Sequence, residues 1–207
     1  ALKNKYWTDG LYSYKGIQKR VCFHSREIRG RKDAFNPDII DYKSFVADLS
    51  QLMAAIPMCI YASHIDKERH VNQYIHPIEP YDLCMTFVLE RILRDLPVNQ
   101  NCVIILESRG AKEDRAVLDF IKGLIDNGTR FHPASHFSRI KGVYFNPKWC
   151  KAADDRMSYW ELELADLCAY PIQKFFVYGT MDLAFQVILP KLSHYPDHMG
   201  KGLKSFP

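Results

Sequence analysis

The sequence lacks long apolar runs and paired cysteines. No apolar stretch approaches the roughly 18 residues that a membrane-spanning helix needs, and the first residues do not form a signal peptide. The six cysteines are scattered, without a C-x-x-C pair. We therefore expect free thiols in a reducing compartment rather than disulfides or a zinc site, a cytoplasmic location and no membrane partner.

The sequence also lacks the short motifs of several enzyme classes. It contains no G-x-x-x-x-G-K-[ST], no G-x-G-x-x-G and no G-x-S-x-G, so nothing favours a P-loop, a dinucleotide site or a serine hydrolase. No repeat or low-complexity linker divides the chain. With 47% hydrophobic and 25% charged residues, wholesale disorder is excluded. Predicted strands and helices alternate, which indicates one α/β domain over residues 1–207.

Basic residues are concentrated in residues 24–32. The net charge of the chain is only +4, which permits a polyanionic partner without requiring one. Within this segment, however, His24 and four Arg or Lys residues surround a single carboxylate, Glu27. Two interpretations are open: a segment that holds a phosphate backbone, or a solvated charged loop.

A second candidate site follows the most apolar predicted strand. Residues 103–106 (Val-Ile-Ile-Leu) show no polar alternation, which is typical of a strand buried on both faces. The strand ends at Glu107, Ser108 and Arg109. Ligands bind at the carboxyl ends of strands in open α/β sheets, so Glu107 is a candidate ligand-binding residue. The alternative is a loop that merely begins with polar residues.

A third candidate lies in the predicted helix 160–176, which is apolar nearly all round and therefore indicates a buried helix. Asp166 stands in its middle, where it cannot cap an end. Burying an unpartnered carboxylate costs several kcal/mol, so Asp166 must be neutral, paired or bound to a metal. A hydrogen bond to a nearby Arg, Ser or backbone group is the alternative, and Glu107 as a second carboxylate favours the metal.

The remaining elements follow from periodicity and from Gly and Pro positions. Asn36 and Pro37 predict a helix start, with an end before Pro57, and Gly128 predicts the end of another helix. The other predicted elements are a strand at 58–62, a mobile connection at 63–76, helices at 81–96 and 112–127, a strand at 142–145 and a short helix at 181–189.

The candidate residues lie in segments that resemble the DUF3800 domain, a family of unknown function expected to have a ribonuclease H-like fold. In chain order the similar segments are His-Ser-Arg-Glu-Ile at 24–28, Glu-Ser-Arg-Gly at 107–110 with Glu-Asp at 113–114, Leu-Glu-Leu-Ala-Asp-Leu-Cys-Ala-Tyr-Pro at 162–171, and the ending Gly-Leu-Lys-Ser-Phe-Pro at 202–207. The run at 162–171 is the most specific, and the resemblance covers about residues 20–207.

The resemblance implies a mixed sheet flanked by helices and a metal-dependent nuclease acting on DNA or RNA. Such enzymes hold two Mg²⁺ or Mn²⁺ ions about 3.5–4 Å apart, which activate water and stabilise the leaving oxygen. Oxygen-preferring ions favour Asp and Glu as ligands. The implied roles are metal binding by Glu107 and Asp166, further ligation or support by Asp114 and Glu27, proton transfer by His24, and phosphate binding by Arg26, Arg29 and Arg109.

The chain departs from the family pattern at its first strand. That strand usually ends in Asp-Glu-Ser-Gly, whose aspartate would be a principal metal ligand, and no such motif occurs here. The nearest candidate, Thr8-Asp9-Gly10, follows no apolar strand. A missing first strand or hairpin predicts an incomplete metal site and an unpaired sheet edge, open to a partner strand or to a homodimer. The alternative to a nuclease is therefore a non-catalytic module that binds nucleic acid or protein.

Overall fold

Helices and short strands alternate along the chain, so the fold is mixed α/β. The computed structural model describes residues 1–147 and 159–207. It divides into two compact units: Ala1–Pro57 with Asn146–Ile188, the first unit, and Met58–Phe145 with Leu189–Pro207, the second unit. In the part of the chain that is described, no helix is long and apolar enough to cross a membrane.

The elements in chain order are as follows. The helices are α1 (Leu2–Tyr6), α2 (Ser25–Gly30), α3 (Tyr42–Ala55), α4 (Lys67–Gln73), α5 (Pro80–Asp95), α6 (Ala111–Asn127), α7 (Ala134–Phe137), α8 (Trp160–Tyr178) and α9 (Leu183–Ile188). The strands are β1 (Leu11–Tyr14), β2 (Ile17–Arg20), β3 (Ala62–Ile65), β4 (Cys102–Glu107), β5 (Ile140–Asn146) and β6 (Leu203–Phe206).

Over residues 1–147 and 159–207 the strands form three two-stranded sheets. β1 and β2 make an antiparallel hairpin whose turn residues, Lys15 and Gly16, both have positive φ, as a two-residue hairpin turn requires. β3 pairs in parallel with β6, from Ala62 opposite Leu203 onward, and β4 pairs with β5. The ribonuclease H-like mixed sheet stays a prediction.

Aromatic side chains form the core of the first unit. Phe35 and Phe45 are fully buried, and Trp7 and Phe23 lie against them with ring centroids 5.4–6.5 Å apart. The Trp7 indole N–H donates to the Ala34 carbonyl at 3.0 Å, so its polar atom is satisfied inside this core. The N-terminal segment, which shows no periodicity in sequence, is thereby tied to the unit.

The core of the second unit forms where α5, α6, α7 and β5 meet. Its buried members are Leu89, Leu93, Ile121, Leu124, Phe137 and Ile140. Both long helices were predicted from their apolar periodicity and are confirmed to within a residue or two. Gly128 follows α6 at φ 73°, and a Cβ there would clash with the His132 backbone, which confirms it as the C-terminal cap.

Two predicted element starts are wrong, and one predicted connection contains secondary structure. α3 begins at Tyr42, because Asp41 caps it by accepting from the Ser44 N–H at 3.1 Å, whereas the Asn36 side chain accepts from Asp38 in a preceding turn. β3 begins at Ala62, four residues after the predicted start. The predicted mobile connection at 63–76 contains part of β3 and the whole of α4, which Asp66 caps through the Arg69 N–H.

The burial predicted for β4 is also wrong. The side chain of Val103 is 55% exposed, and no residue of β4 is fully buried. Burial on both faces requires elements packed over both faces, and the β4 side chains that pack on the core of the second unit, Cys102, Ile104 and Leu106, alternate along the strand and share one face. The apolar run at 103–106 therefore predicts that a strand forms, but it does not predict how deeply that strand is buried.

Candidate nucleic-acid interface

The basic segment predicted to bind phosphate is built around α2. His24 occupies the N-cap position, and the buried residues Ser25 and Ile28 anchor the helix. The residue after the helix, Arg31, is its C-terminal cap and adopts the left-handed conformation with φ 50°. Lys32 N–H then donates to the Glu27 carbonyl at 3.1 Å. Arg26 and Arg29 therefore lie on α2, Arg31 is its C-terminal cap, and Lys32 directly follows the cap.

Two carboxylates of α8 hold the chain where it enters α2. The Phe23 N–H donates to Glu163 at 2.8 Å, and the Ser25 N–H donates to Asp166 at 2.6 Å. Residues three apart lie on the same side of a helix, so both acceptors face the same short segment. Asp166 is half-buried and hydrogen-bonded to backbone, which is the alternative that the sequence left open.

Glu163 is the carboxylate that the sequence analysis missed. Its residue is 1% exposed, and besides Phe23 it accepts from the Lys3 ammonium at 2.7 Å. A buried carboxylate needs such partners, because leaving its charge uncompensated would cost several kcal/mol. The usable signal was its spacing of three residues from Asp166, which would have placed both acids on one face of α8.

Exposed cations cover the surface of the hairpin and α2. Residues 11–32 contain seven Lys or Arg residues and one carboxylate, Glu27. Six of these cations belong to exposed residues: Lys15, Lys19, Arg26, Arg29, Arg31 and Lys32. A segment with this excess of positive charge attracts polyanions.

Two of the arginines are positioned by aromatic rings. The guanidinium carbon of Arg29 lies 3.3 Å from the centre of the Tyr170 ring on α8, and its Nε donates to the Ser25 hydroxyl at 3.3 Å. The guanidinium of Arg31 lies 5.0 Å from the Tyr42 ring centre. Stacking on an aromatic face leaves the guanidinium N–H groups at the ring's periphery, where they can bind phosphate oxygens.

Tyr12 is a buried residue of β1, and its phenol lies near the carboxylates of Asp33 and of Glu27 on α2. Burial, together with the nearby carboxylates Asp33 and Glu27, raises the pKa of Tyr12 to about 12. The phenol therefore stays neutral at physiological pH and adds no negative charge to the basic surface.

The second group of predicted residues lies at the end of β4. Glu107 and Arg109 are exposed, and the Arg109 guanidinium lies 5.0 Å from the Tyr81 ring centre. Asp114, near the start of α6, accepts from the Ser108 hydroxyl at 2.6 Å and from the Arg109 N–H at 2.8 Å. These bonds, the Ser108 bond foremost, lower the pKa of Asp114. Asp114 thus fixes the turn after β4.

The predicted site residues fall into two groups, one in each unit. The first unit brings together His24, Arg26, Glu27, Arg29 and Asp166, and the second brings together Glu107, Arg109 and Asp114. Neither unit by itself contains the predicted pair of metal ligands, Glu107 and Asp166. Within residues 1–147 and 159–207 no three His, Cys, Asp or Glu side chains form a group that could hold a metal ion. Metal binding stays a prediction.

Comparisons of the chain with known protein families, with curated proteins and with solved structures give no match. The relationship to DUF3800 proteins therefore stays a prediction that rests on the segments quoted above.

Proposed function

We propose that the first unit binds nucleic acid through the exposed cations of residues 11–32. The observation that carries this proposal is the excess of seven Lys or Arg residues over one carboxylate, with six of the cations exposed on the hairpin and α2. Nucleic-acid binding is common to the nuclease and to the non-catalytic module that the sequence predicts.

The contacts expected are with phosphate rather than with bases. Arg29 is held against Tyr170 and Arg31 lies near Tyr42, which makes their guanidinium planes suited to phosphate oxygens. Lys15 and Lys19 on the hairpin, whose ammonium groups lie 5.4 and 4.2 Å from the Tyr14 ring centre, add two exposed positive charges. Such contacts fix position on the backbone but do not discriminate between sequences, so binding should depend strongly on salt and weakly on sequence.

Fluorescence anisotropy with labelled single- and double-stranded DNA and RNA tests the proposal. The affinity of the wild-type protein for duplex DNA should fall with salt, with a log–log slope of about −0.9 per phosphate contacted. The double variant Arg26→Glu/Lys32→Glu should weaken binding by at least about tenfold and reduce the slope by about 2.

A matched control is the double variant Lys112→Glu/Lys122→Glu, because both residues are exposed lysines on α6 of the second unit. It makes a change of the same kind outside the basic segment. Equal loss of binding in the control and in Arg26→Glu/Lys32→Glu would show that only net charge matters. No salt-dependent binding by the wild type to any of the oligonucleotides would refute the proposed function.

Metal-dependent cleavage of the bound strand is the second candidate. It is favoured by the position of Asp166, whose carboxylate bonds to Ser25, next to His24 and Arg26 in the basic segment. The described residues offer fewer grouped carboxylates than the three or four that two Mg²⁺ or Mn²⁺ ions need.

Thermal melts of the wild type and of Asp166→Asn, with chelator and then with Mn²⁺, separate the two candidates. Asparagine keeps an oxygen that can accept the Ser25 N–H but removes the charge. If Mn²⁺ raises the melting temperature of the wild type alone, Asp166 contributes to a cation site and nuclease assays follow. If Mn²⁺ changes the melting temperature of neither protein, the result favours nucleic-acid binding without cleavage.

A further inference from the structure

An apolar groove of about 420 Å³ runs through the second unit, separate from the basic segment. Its floor is the apolar stripe of α5, spaced at helical intervals: Tyr81, Cys84, Met85, Val88, Leu89 and Ile92. One wall is β4 and the other is β3, which contributes Ser63.

The edge of β4 faces this groove. Five consecutive residues, 102–106, line it, although side chains of consecutive strand residues point to opposite faces. A groove touched by all of them must therefore run along the strand's edge. The Cys102 N–H donates to the Arg139 carbonyl on the β5 side, so by alternation the backbone groups of Val103 and Ile105 point away from β5.

The opposite wall also presents a strand edge. The Ala62 N–H bonds to the Gly202 carbonyl beside β6, so the backbone groups of Ser63 point away from β6. The Ser63 carbonyl contacts the Cys84 thiol, a weak donor, at 3.8 Å. Its hydroxyl is buried and has no hydrogen-bond partner among the residues that the structure describes. Both walls thus carry polar backbone groups above an apolar floor.

We propose that this groove accepts one extended strand from a partner polypeptide, with apolar side chains at alternate positions. An inserted strand would pair with the edges of β4 and β3 and place its apolar side chains on α5. A small apolar molecule would fill the floor but would leave both edges unpaired. A second folded copy could offer an edge to one wall, whereas a recess walled on both sides suits a single free strand.

The probe is the fluorescent peptide acetyl-Lys-Val-Thr-Val-Thr-Val-Lys-amide, and its binding is measured by anisotropy. A second peptide of the same sequence is N-methylated at every second amide, which removes hydrogen-bond donors but keeps the apolar surface. The protein variants are Val103→Glu in the groove and Val98→Glu as the matched control. Val98 is 93% exposed in the same unit and does not line the groove.

The proposal expects saturable binding of the first peptide to the wild type, at least about tenfold weaker binding by Val103→Glu, and no change in Val98→Glu. The N-methylated peptide should bind at least about tenfold less tightly. Hydrogen exchange should show protection of the Val103 and Ile105 amides on binding.

Three results would overturn the proposal that the groove accepts a strand. Absence of saturable binding to the wild type excludes strand acceptance, and equal binding of the N-methylated peptide indicates an apolar ligand site instead. If the wild type is a dimer that the Val103→Glu substitution dissociates but the peptide does not, the edge of β4 binds a second copy of the chain instead. Thermal melts of both variants verify that they fold. The outcome is independent of nucleic-acid binding, because the groove and the basic segment belong to different units.

Discussion

The carboxylates of the two units differ in burial and in hydrogen bonding. In the first unit, Glu163 and Asp166 accept backbone N–H groups from residues 23 and 25 and hold α2 on α8. In the second unit, Glu107 stands exposed at the end of β4, while Asp114 fixes the turn beyond it. Asp166 and Glu107, which the sequence selected for the same role, thus differ in their surroundings: Asp166 is half-buried and bonded to the Ser25 N–H, and Glu107 is exposed. A carboxylate in the middle of a helix is tied to structure, and one at a strand end faces solvent.

Removal of Glu163 should have the largest effect on stability. Glu163→Ala leaves the Lys3 ammonium and the Phe23 N–H without their acceptor in a buried place, which costs about 3–5 kcal/mol when one partner of a buried pair is lost. Urea unfolding measures the change. Glu107→Ala in the second unit is the matched control and should cost less than about 1 kcal/mol. Equal losses of stability in Glu163→Ala and Glu107→Ala would show that the carboxylates of the two units do not differ in their structural role.

Asp166 should show an intermediate effect that depends on the substitute. Asp166→Ala leaves the Ser25 N–H unsatisfied in a half-buried place and should cost about 1–3 kcal/mol. Asp166→Asn keeps an acceptor oxygen and should cost clearly less in the same urea measurement. If Asp166→Asn loses as much stability as Asp166→Ala, the charge of Asp166 rather than its hydrogen bond holds α2.

The second unit contains its own structural carboxylate, Asp95, and pH should reveal it. Burial raises the pKa of Asp95, but hydrogen bonds from Arg94, Tyr61, His194 and Ser193 outweigh burial and hold the pKa well below its usual range. The folded pKa lies below the unfolded value of about 3.9, so this stabilisation is complete above about pH 4 and is lost as pH falls further.

Urea unfolding at a series of pH values tests the role of Asp95. The wild type should lose stability on acidification below about pH 4, and Asp95→Asn should lose less over the same interval because it cannot titrate. Identical slopes in the two proteins would show that other carboxylates account for the acid sensitivity.

The smallest effect is expected for the surface pair Arg115–Asp119 on α6. The two side chains are 3.1 Å apart at their charged atoms but 69% and 54% exposed. Arg115→Ala should lower the free energy of unfolding by no more than about 0.5 kcal/mol, and added salt should remove the difference. A salt-resistant loss above about 1 kcal/mol would show a further role for Arg115 in the unit.

Local patterns predicted the elements that are long and periodic. The apolar spacing of α5, α6 and α8 gave their positions, and Gly128 gave the end of α6, because a helix needs one apolar face and a residue that tolerates positive φ at its end. The start of α3 was missed because Asn36 and Asp41 are both good capping residues, and packing selected Asp41.

The candidate site was predicted less completely than the helices. The sequence singled out Asp166 but not Glu163, whose importance comes from burial and from Lys3, 160 residues away in the chain. The sequence also could not show that the backbone of Ser25 would satisfy Asp166. Contacts between residues so far apart depend on how the elements pack, and a local pattern carries no record of them.

The sequence by itself determined the mixed α/β character, the long helices and the positive charge of residues 11–32, because periodicity and charge are properties of neighbouring residues. Tertiary structure alone decided which carboxylates are buried, that β4 is partly exposed, and that its edge and that of β3 face one apolar groove. The physical reason is the same in each case. Burial and unpaired strand edges depend on which segments pack together, and packing is set by the whole chain.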